Sequence, residues 1–109
     1  MRKAVIKMYN KTAGHLIENE EGYQFSYTMD YLKQSDAQAI SLTFPLQNEP
    51  FLSNILFPFF DGLIPEGWLL DIAEKNWKIN QRDRMGLLLL CCEDCIGAVS
   101  VFKIEENGK

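Results

Sequence analysis

The sequence lacks several features that define common classes of protein. Its three cysteines all lie between Cys91 and Cys95, so no disulfide framework can link distant parts of the chain, and a reducing cytoplasm is expected. No run approaches the roughly 20 apolar residues that span a bilayer. The basic start Met1–Lys7 returns to charge too soon for a signal peptide. We therefore expect a cytoplasmic protein that does not bind a membrane.

The chain also lacks a concentration of positive charge. Its net charge is −4, and its 11 lysines and arginines are scattered along the sequence. Nucleic-acid backbones attract clustered basic side chains. We expect no direct contact with nucleic acid, although an acidic domain can still join a DNA-bound assembly through another protein.

Signals of catalysis are missing as well. The sequence has no glycine-rich phosphate loop and no catalytic-loop aspartate followed by a metal-binding asparagine. Cys92 and Cys95 have Cys-x-x-Cys spacing, but a structural zinc needs four ligands, and His15 is the only histidine. The pair follows a helix, whereas redox thiols favour helix N-termini. We expect no catalytic residue, no cofactor, no metal and no enzymatic activity.

What the sequence does contain begins with three strands. Residues 3–9 alternate in polarity, with Ala4, Ile6 and Met8 on one face. Turn residues at 10–14 precede a second strand at 15–18, and a turn at 20–22 leads to the clearest period-2 pattern, in which Tyr23, Phe25 and Tyr27 alternate with polar residues. Short connections of this kind predict an antiparallel meander.

Helices and one closing strand are predicted beyond the meander. Residues 30–38 suit one helical turn, 40–46 an extended segment and 47–50 a loop. A helix is expected from Pro65 or Glu66 to about Trp77, and a second over 81–91, capped by Asn80 with Asp83 and buried along Leu87–Leu90. A strand at 96–104 closes the sheet. The prediction is a single α+β domain over residues 1–105, a small antiparallel sheet packed with two to three helices, followed by a polar tail at 106–109.

The segment Phe57–Leu70 is dense in apolar and aromatic residues, and two prolines and two glycines fix its path. Such a segment must be buried in a core or bind a partner. On a helical wheel Leu69, Ile72 and Ala73 fall within the apolar stripe, whereas Trp68 falls at its margin. A half-exposed tryptophan there suits a binding anchor; a buried one is the alternative. Without a nucleophile, base or metal cluster, the segment is interpreted as a recognition element.

Four motifs follow one another along the chain: Phe25–Tyr27 with Tyr31–Leu32, Ile40–Leu46, Phe59–Gly67 and Asp94–Val99. In this order and spacing they resemble the N-terminal subdomain of HipA-type toxin kinases. The resemblance covers nearly the whole chain and is closest to the form that occurs as a separate small antitoxin, HipS, in HipB–HipS–HipT systems. In Leu63–Gly67, Ile64 stands where leucine is usual.

The resemblance implies an α+β subdomain that packs on a kinase N-lobe, while the kinase chemistry belongs to a larger C-terminal part. It implies an antitoxin that binds a HipT-like serine/threonine toxin kinase and neutralises it, in a ternary complex with a HipB-like helix-turn-helix protein. A non-inhibitory structural or activating half of a split kinase is the alternative. The residues expected to face the partner, with Trp68 as anchor, are Asp61, Leu63, Ile64, Pro65, Glu66, Gly67 and Trp68.

Overall fold

A five-stranded antiparallel sheet forms the framework of the domain. The computed structural model describes residues 2–64, 67, 82–91 and 98–104 of the 109-residue chain. The sheet order is β4-β3-β2-β1-β5, and every neighbouring pair is antiparallel. The fold class predicted from the sequence, a meander completed by a C-terminal strand, is confirmed. The strands are β1 Arg2–Met8, β2 Lys11–Asn19, β3 Gly22–Tyr27, β4 Phe51–Ser53 and β5 Val99–Lys103.

Three helices are present among the described residues: α1 Met29–Leu32, α2 Pro58–Asp61 and α3 Arg84–Cys91. α1 is the helical turn expected near residue 30, and Thr28 caps it by accepting the amide of Tyr31 at 3.1 Å. α2 was not predicted. Apart from Gly67, the expected helix from Pro65 or Glu66 to Trp77 lies outside the described residues, and so does the tail at 106–109.

The connection between β1 and β2 is shorter than predicted. Tyr9 and Asn10 both have positive φ, at 50° and 68°, as in the two-residue turns that match the twist of antiparallel strands. The turn expected at 10–14 is therefore wrong, since β2 already begins at Lys11. Gly14 lies inside β2, where an added Cβ would come within 2.2 Å of the Ser26 carbonyl oxygen. Glycine is needed there for close packing.

The segment 40–46, predicted to be extended, instead contains a turn in which the Phe44 amide donates to the Ser41 carbonyl at 3.0 Å. The buried Tyr27 hydroxyl fixes this turn, since it accepts the Ile40 amide at 3.1 Å and donates to the Phe44 carbonyl. The short strand β4 that follows was missed. The tertiary hydrogen bonds of Tyr27 thus outweigh the local preference of segment 40–46 for an extended backbone.

The second predicted helix begins three residues later than expected, at α3. Asp83 itself is its cap, because a carboxylate oxygen accepts the Gly86 amide at 3.2 Å and its carbonyl accepts the Leu87 amide at 3.0 Å. Leu87, Leu88 and Leu89 are buried as predicted, but Leu90 is 62% exposed. Four consecutive residues extend around more of the helix than the face that packs on the core. The last of them, Leu90, therefore points away from the core.

The core lies on one face of the sheet, beneath the helices. The alternation predicted for β1 and β3 is confirmed, since Ala4, Ile6 and Phe25 are fully buried. The helices contribute Phe60, Met85, Leu87 and Leu88 to the same cluster. Among the described residues, no helix is long and apolar enough to cross a membrane.

Candidate protein-binding site

The predicted recognition element begins in α2 and the turn that follows it. Asp61 ends α2 and is half-buried, and Leu63 is half-buried against the core. Ile64 is only 5% exposed and belongs to the core cluster. Gly67 is exposed. Pro65, Glu66 and Trp68 lie outside the described residues, so the anchoring role of Trp68 stays a prediction.

The path of this segment is fixed by its own backbone hydrogen bonds. Pro58 occupies the first turn of α2, where its missing amide costs nothing. The amides of residues 61–64 donate in sequence to the carbonyls of Phe57, Pro58, Phe60 and Asp61, at 3.0, 2.9, 3.0 and 3.2 Å. Phe60 is fully buried and holds the turn to the core. Asp61 and Leu63 are therefore presented on a defined backbone.

An ion pair holds this turn to α3. The Arg84 Nε donates to the Asp61 carboxylate, and the two side chains are 34% and 41% exposed. The partner of Asp61 comes from a helix 23 residues away in the sequence. A partly exposed pair of this kind contributes little to stability, but it orients the end of α2.

A groove beside α2 was not predicted. It has a volume of about 470 Å³ and a largely aromatic lining that comes from the 41–44 turn, β4 and α2. Its members are separated in sequence, and only the tertiary fold brings them together. The leucines around the groove were the one signal in the sequence. Hydrophobicity alone, however, does not show which leucines a fold leaves exposed to solvent. The lining residues are Ser41, Thr43, Phe44, Phe51, Leu52, Phe57, Pro58 and Phe59.

A second cluster of charges surrounds Arg2. Its guanidinium donates to both carboxylate oxygens of Glu18, at 2.6 and 2.9 Å, and to both of Asp83, at 2.9 and 2.7 Å. Tyr23 donates its hydroxyl to Glu18 at 3.2 Å. Gly86 leaves room for the cluster, since a Cβ there would lie 2.4 Å from Asp83 Oδ2. We refer to Arg2, Glu18 and Asp83 as the Arg2 cluster.

The Arg2 cluster is a structural ion-pair network and not an acid–base centre. The hydrogen bonds from Arg2 lower the pKa of Glu18 and of Asp83, and those carboxylates raise the pKa of Arg2. All three groups therefore stay charged at neutral pH and are already paired with one another. The cluster links β1 and β2 to the N-terminus of α3.

Of the histidine and cysteines considered for chemistry, the structure describes the surroundings of His15 alone. His15 lies in β2, opposite Val5 and Ser26, as the strand prediction required. Cys92 and Cys95 lie outside the described residues. Within residues 2–64, 67, 82–91 and 98–104, no group of three or more histidine, cysteine or acidic side chains is placed to hold a metal ion.

The described elements form a small α+β domain. The chain belongs to the HipA N-terminal domain family, whose model matches residues 4–102. An uncharacterized protein of Haemophilus influenzae is 36% identical over 101 residues, which cover 93% of this chain and 92% of that protein. The solved N-terminal domain of HipA toxin superimposes with a TM-score of 0.77 at 33% identity, covering 98% of this chain and 96% of that one. The resemblance to the HipA N-terminal domain seen in the sequence is confirmed, and it identifies a toxin–antitoxin-related module.

Proposed function

We propose that this domain is an antitoxin that docks on the N-lobe of a HipT-like serine/threonine toxin kinase and neutralises it. The observation that carries the proposal is the make-up of the Haemophilus relative. The match covers 92% of that protein, which leaves almost no room for a kinase domain. By analogy with that relative, the proposed action is on a separate kinase, in trans.

The geometry of the Asp61–Trp68 segment supports this role. Its described backbone is already ordered by hydrogen bonds and by the buried ring of Phe60. A preorganised surface loses little conformational entropy when it binds. Trp68 is the proposed anchor, with Asp61 and Leu63 beside it, and inhibition follows from blocking the kinase cleft or from restraining its glycine-rich loop. A HipB-like helix-turn-helix partner would supply the DNA contacts that an acidic chain does not make.

The test is to measure autophosphorylation of the cognate kinase as the domain is titrated in. Replacing a central tryptophan anchor typically costs about 2 kcal/mol, or roughly thirtyfold in affinity. We expect Trp68→Ala to keep the wild-type circular dichroism spectrum and to need about thirtyfold more protein for the same inhibition. Leu90→Ala is the matched control, because Leu90 is an exposed apolar residue of α3, and it should inhibit like wild type.

The same assay distinguishes the alternative role. An inhibitor lowers kinase activity, whereas a structural or activating half of a split kinase raises it or is required for it. Activity that increases with added domain would overturn the antitoxin proposal. Unchanged inhibition by a folded Trp68→Ala variant would instead keep the function and remove Trp68 from the interface.

A further inference from the structure

Exposed apolar side chains gather around β4, the open edge of the sheet. Leu42 is completely exposed and Leu52 is 72% exposed. Leu52 lines the aromatic groove, and so do Ser41 and Thr43 on either side of Leu42. Single exposed leucines are ordinary, but a groove bordered by several of them marks a binding surface. Ile55 and Leu46 in the same stretch are also exposed.

The groove is preformed, because the rings that line it are locked into the core. The Phe44 ring centroid lies 4.9 Å from that of Phe51, 5.2 Å from Phe57 and 6.0 Å from Phe59. Phe44 and Phe57 are 3% and 8% exposed. These rings have no room to close the groove, so a ligand binds without first reorganising it.

The open edge adds backbone hydrogen-bonding capacity to the apolar surface. In the part of the chain that the structure describes, β4 pairs with β3 and no strand lies beyond it. The amides and carbonyls of alternate residues in such a strand point away from the sheet. Phe51 and Leu52 both line the groove, so a strand added at this edge would run along it and direct alternate side chains into it.

Charge indicates which kind of strand fits. Between Lys33 and Lys75 every charged residue is acidic, namely Asp36, Glu49, Asp61, Glu66, Asp71 and Glu74. Asp36 is paired with Lys11, and Asp61 with Arg84. Glu49 is exposed just before β4, and no ion pair to it is found among the described residues. The same edge of a second copy would offer Glu49 no basic side chain from this stretch, which disfavours a second copy as the occupant.

We propose that the β4 edge and its groove bind an extended segment of a partner protein, in which apolar side chains alternate with lysine or arginine, as an additional strand. The apolar side chains enter the groove, the backbone pairs with β4, and a basic side chain lies against Glu49. None of the residues that line the groove is among those proposed to bind the kinase.

The probe is a fluorescein-labelled synthetic peptide in which valine alternates with lysine, and glutamate replaces lysine in the control peptide. Fluorescence polarisation with the complete chain should show at least about tenfold tighter binding of the lysine peptide, a difference of about 1.4 kcal/mol. Backbone amide resonances of Phe51–Ser53 should shift on binding. Equal binding of the two peptides, or no binding of either, would overturn the proposal. Because no kinase is present, the result is independent of the antitoxin proposal.

Two variants locate the site. Leu52→Lys places a like charge at the edge and should weaken binding of the lysine peptide at least about tenfold. Leu90→Lys makes the same change at a similarly exposed residue of α3 and should bind like wild type. Glu49→Gln should weaken binding roughly two- to fivefold, as expected for an exposed ion pair. Equal affinities of the two lysine variants would contradict the proposed site. A wild-type dimer that Leu52→Lys dissociates would identify a second copy as the occupant and also overturn the proposal.

Discussion

The two ends of the sheet are attached to the rest of the domain by different forces. At the β4 end, rings from β3, β4, α2 and the 41–44 turn pack around Phe25 and Phe44, with centroid separations near 5 Å such as the 5.0 Å between these two. At the other end, next to the edge strand β5, Arg2 of β1 holds Glu18 of β2 and Asp83, the cap of α3, by four charged hydrogen bonds. One end depends on buried apolar area and the other on charge.

This difference indicates which end can bind a partner and which end only links parts of the fold. Polar groups of the Arg2 cluster satisfy one another, so little is left for a partner to contribute. The aromatic rings of the β4 end, in contrast, remain partly exposed where they line the groove, so a partner can still cover them. Partner binding is therefore expected at the aromatic end, while the ionic end positions α3.

The largest effect is expected at the aromatic end. Phe60→Ala removes a fully buried ring that contacts the rings of Phe25, Phe44 and Phe59. Truncation of a core phenylalanine costs about 3–5 kcal/mol, and urea unfolding followed by circular dichroism should show this loss. Leu42→Ala, at a fully exposed residue, should stay within about 0.5 kcal/mol of wild type. If the two variants lost similar amounts of unfolding free energy, packing of the rings would not be what stabilises this end of the sheet.

A substitution at the ionic end should lower the free energy of unfolding by less, and by an amount that depends on salt concentration. Arg2→Met leaves Glu18 and Asp83 without their partner, and their side chains are 23% and 38% exposed. Charged hydrogen bonds that are partly open to water suggest a loss of about 1–2 kcal/mol. The difference from wild type should shrink in 1 M salt, roughly the level at which the screening length falls to about 3 Å.

Lys11→Met is the matched control for Arg2→Met. Lys11 pairs with Asp36 at 3.3 Å, but the two side chains are 53% and 71% exposed. Its effect on the free energy of unfolding should be within about 0.5 kcal/mol at any salt concentration. A loss for Lys11→Met as large as that for Arg2→Met would mean that the geometry of the Arg2 cluster adds nothing beyond charge.

Acid should weaken the ionic end selectively. Hydrogen bonds from Arg2 hold the pKa of Glu18 below its ordinary value of 4.5 and the pKa of Asp83 below 3.8. Carboxylates with a lowered pKa in the folded state contribute stability that is fully present above pH 4.5 and is lost as pH falls through the folded-state values. Urea midpoints measured from pH 6 to pH 2 should therefore decline more steeply in wild type than in Arg2→Met. Parallel curves would remove the cluster as the source of the acid sensitivity.

The sequence predicted those parts of the fold that depend on local pattern. The alternation in β1 and β3 identified strands and their buried faces, and the apolar run of α3 identified a buried helix. β4 has only three residues, too few to show a period, and the extended pattern at 40–46 yielded to hydrogen bonds from Tyr27. β2 was predicted too short because its first residues resemble turn residues.

The candidate site was less predictable than the fold. Phe57–Leu70 could be recognised as unusual from composition, but the groove combines residues from three segments. The Arg2 cluster joins Arg2 to a residue 81 positions away, and a single sequence carries no signal for such a pair. The place of Trp68 in the interface remains a prediction.

The smallest effect is expected where the two ends meet. The Asp61–Arg84 pair links α2, at the aromatic end, to α3, at the ionic end. Both side chains are about one-third or more exposed, so a double-mutant cycle with Asp61→Asn and Arg84→Gln should give a coupling free energy of about 0.2–1 kcal/mol. A coupling above about 2 kcal/mol would contradict the division into two ends, because it would make this link as strong as the ionic end itself. A small coupling means instead that each end keeps its own stability, and that the pair serves to orient the turn that presents Asp61 and Leu63.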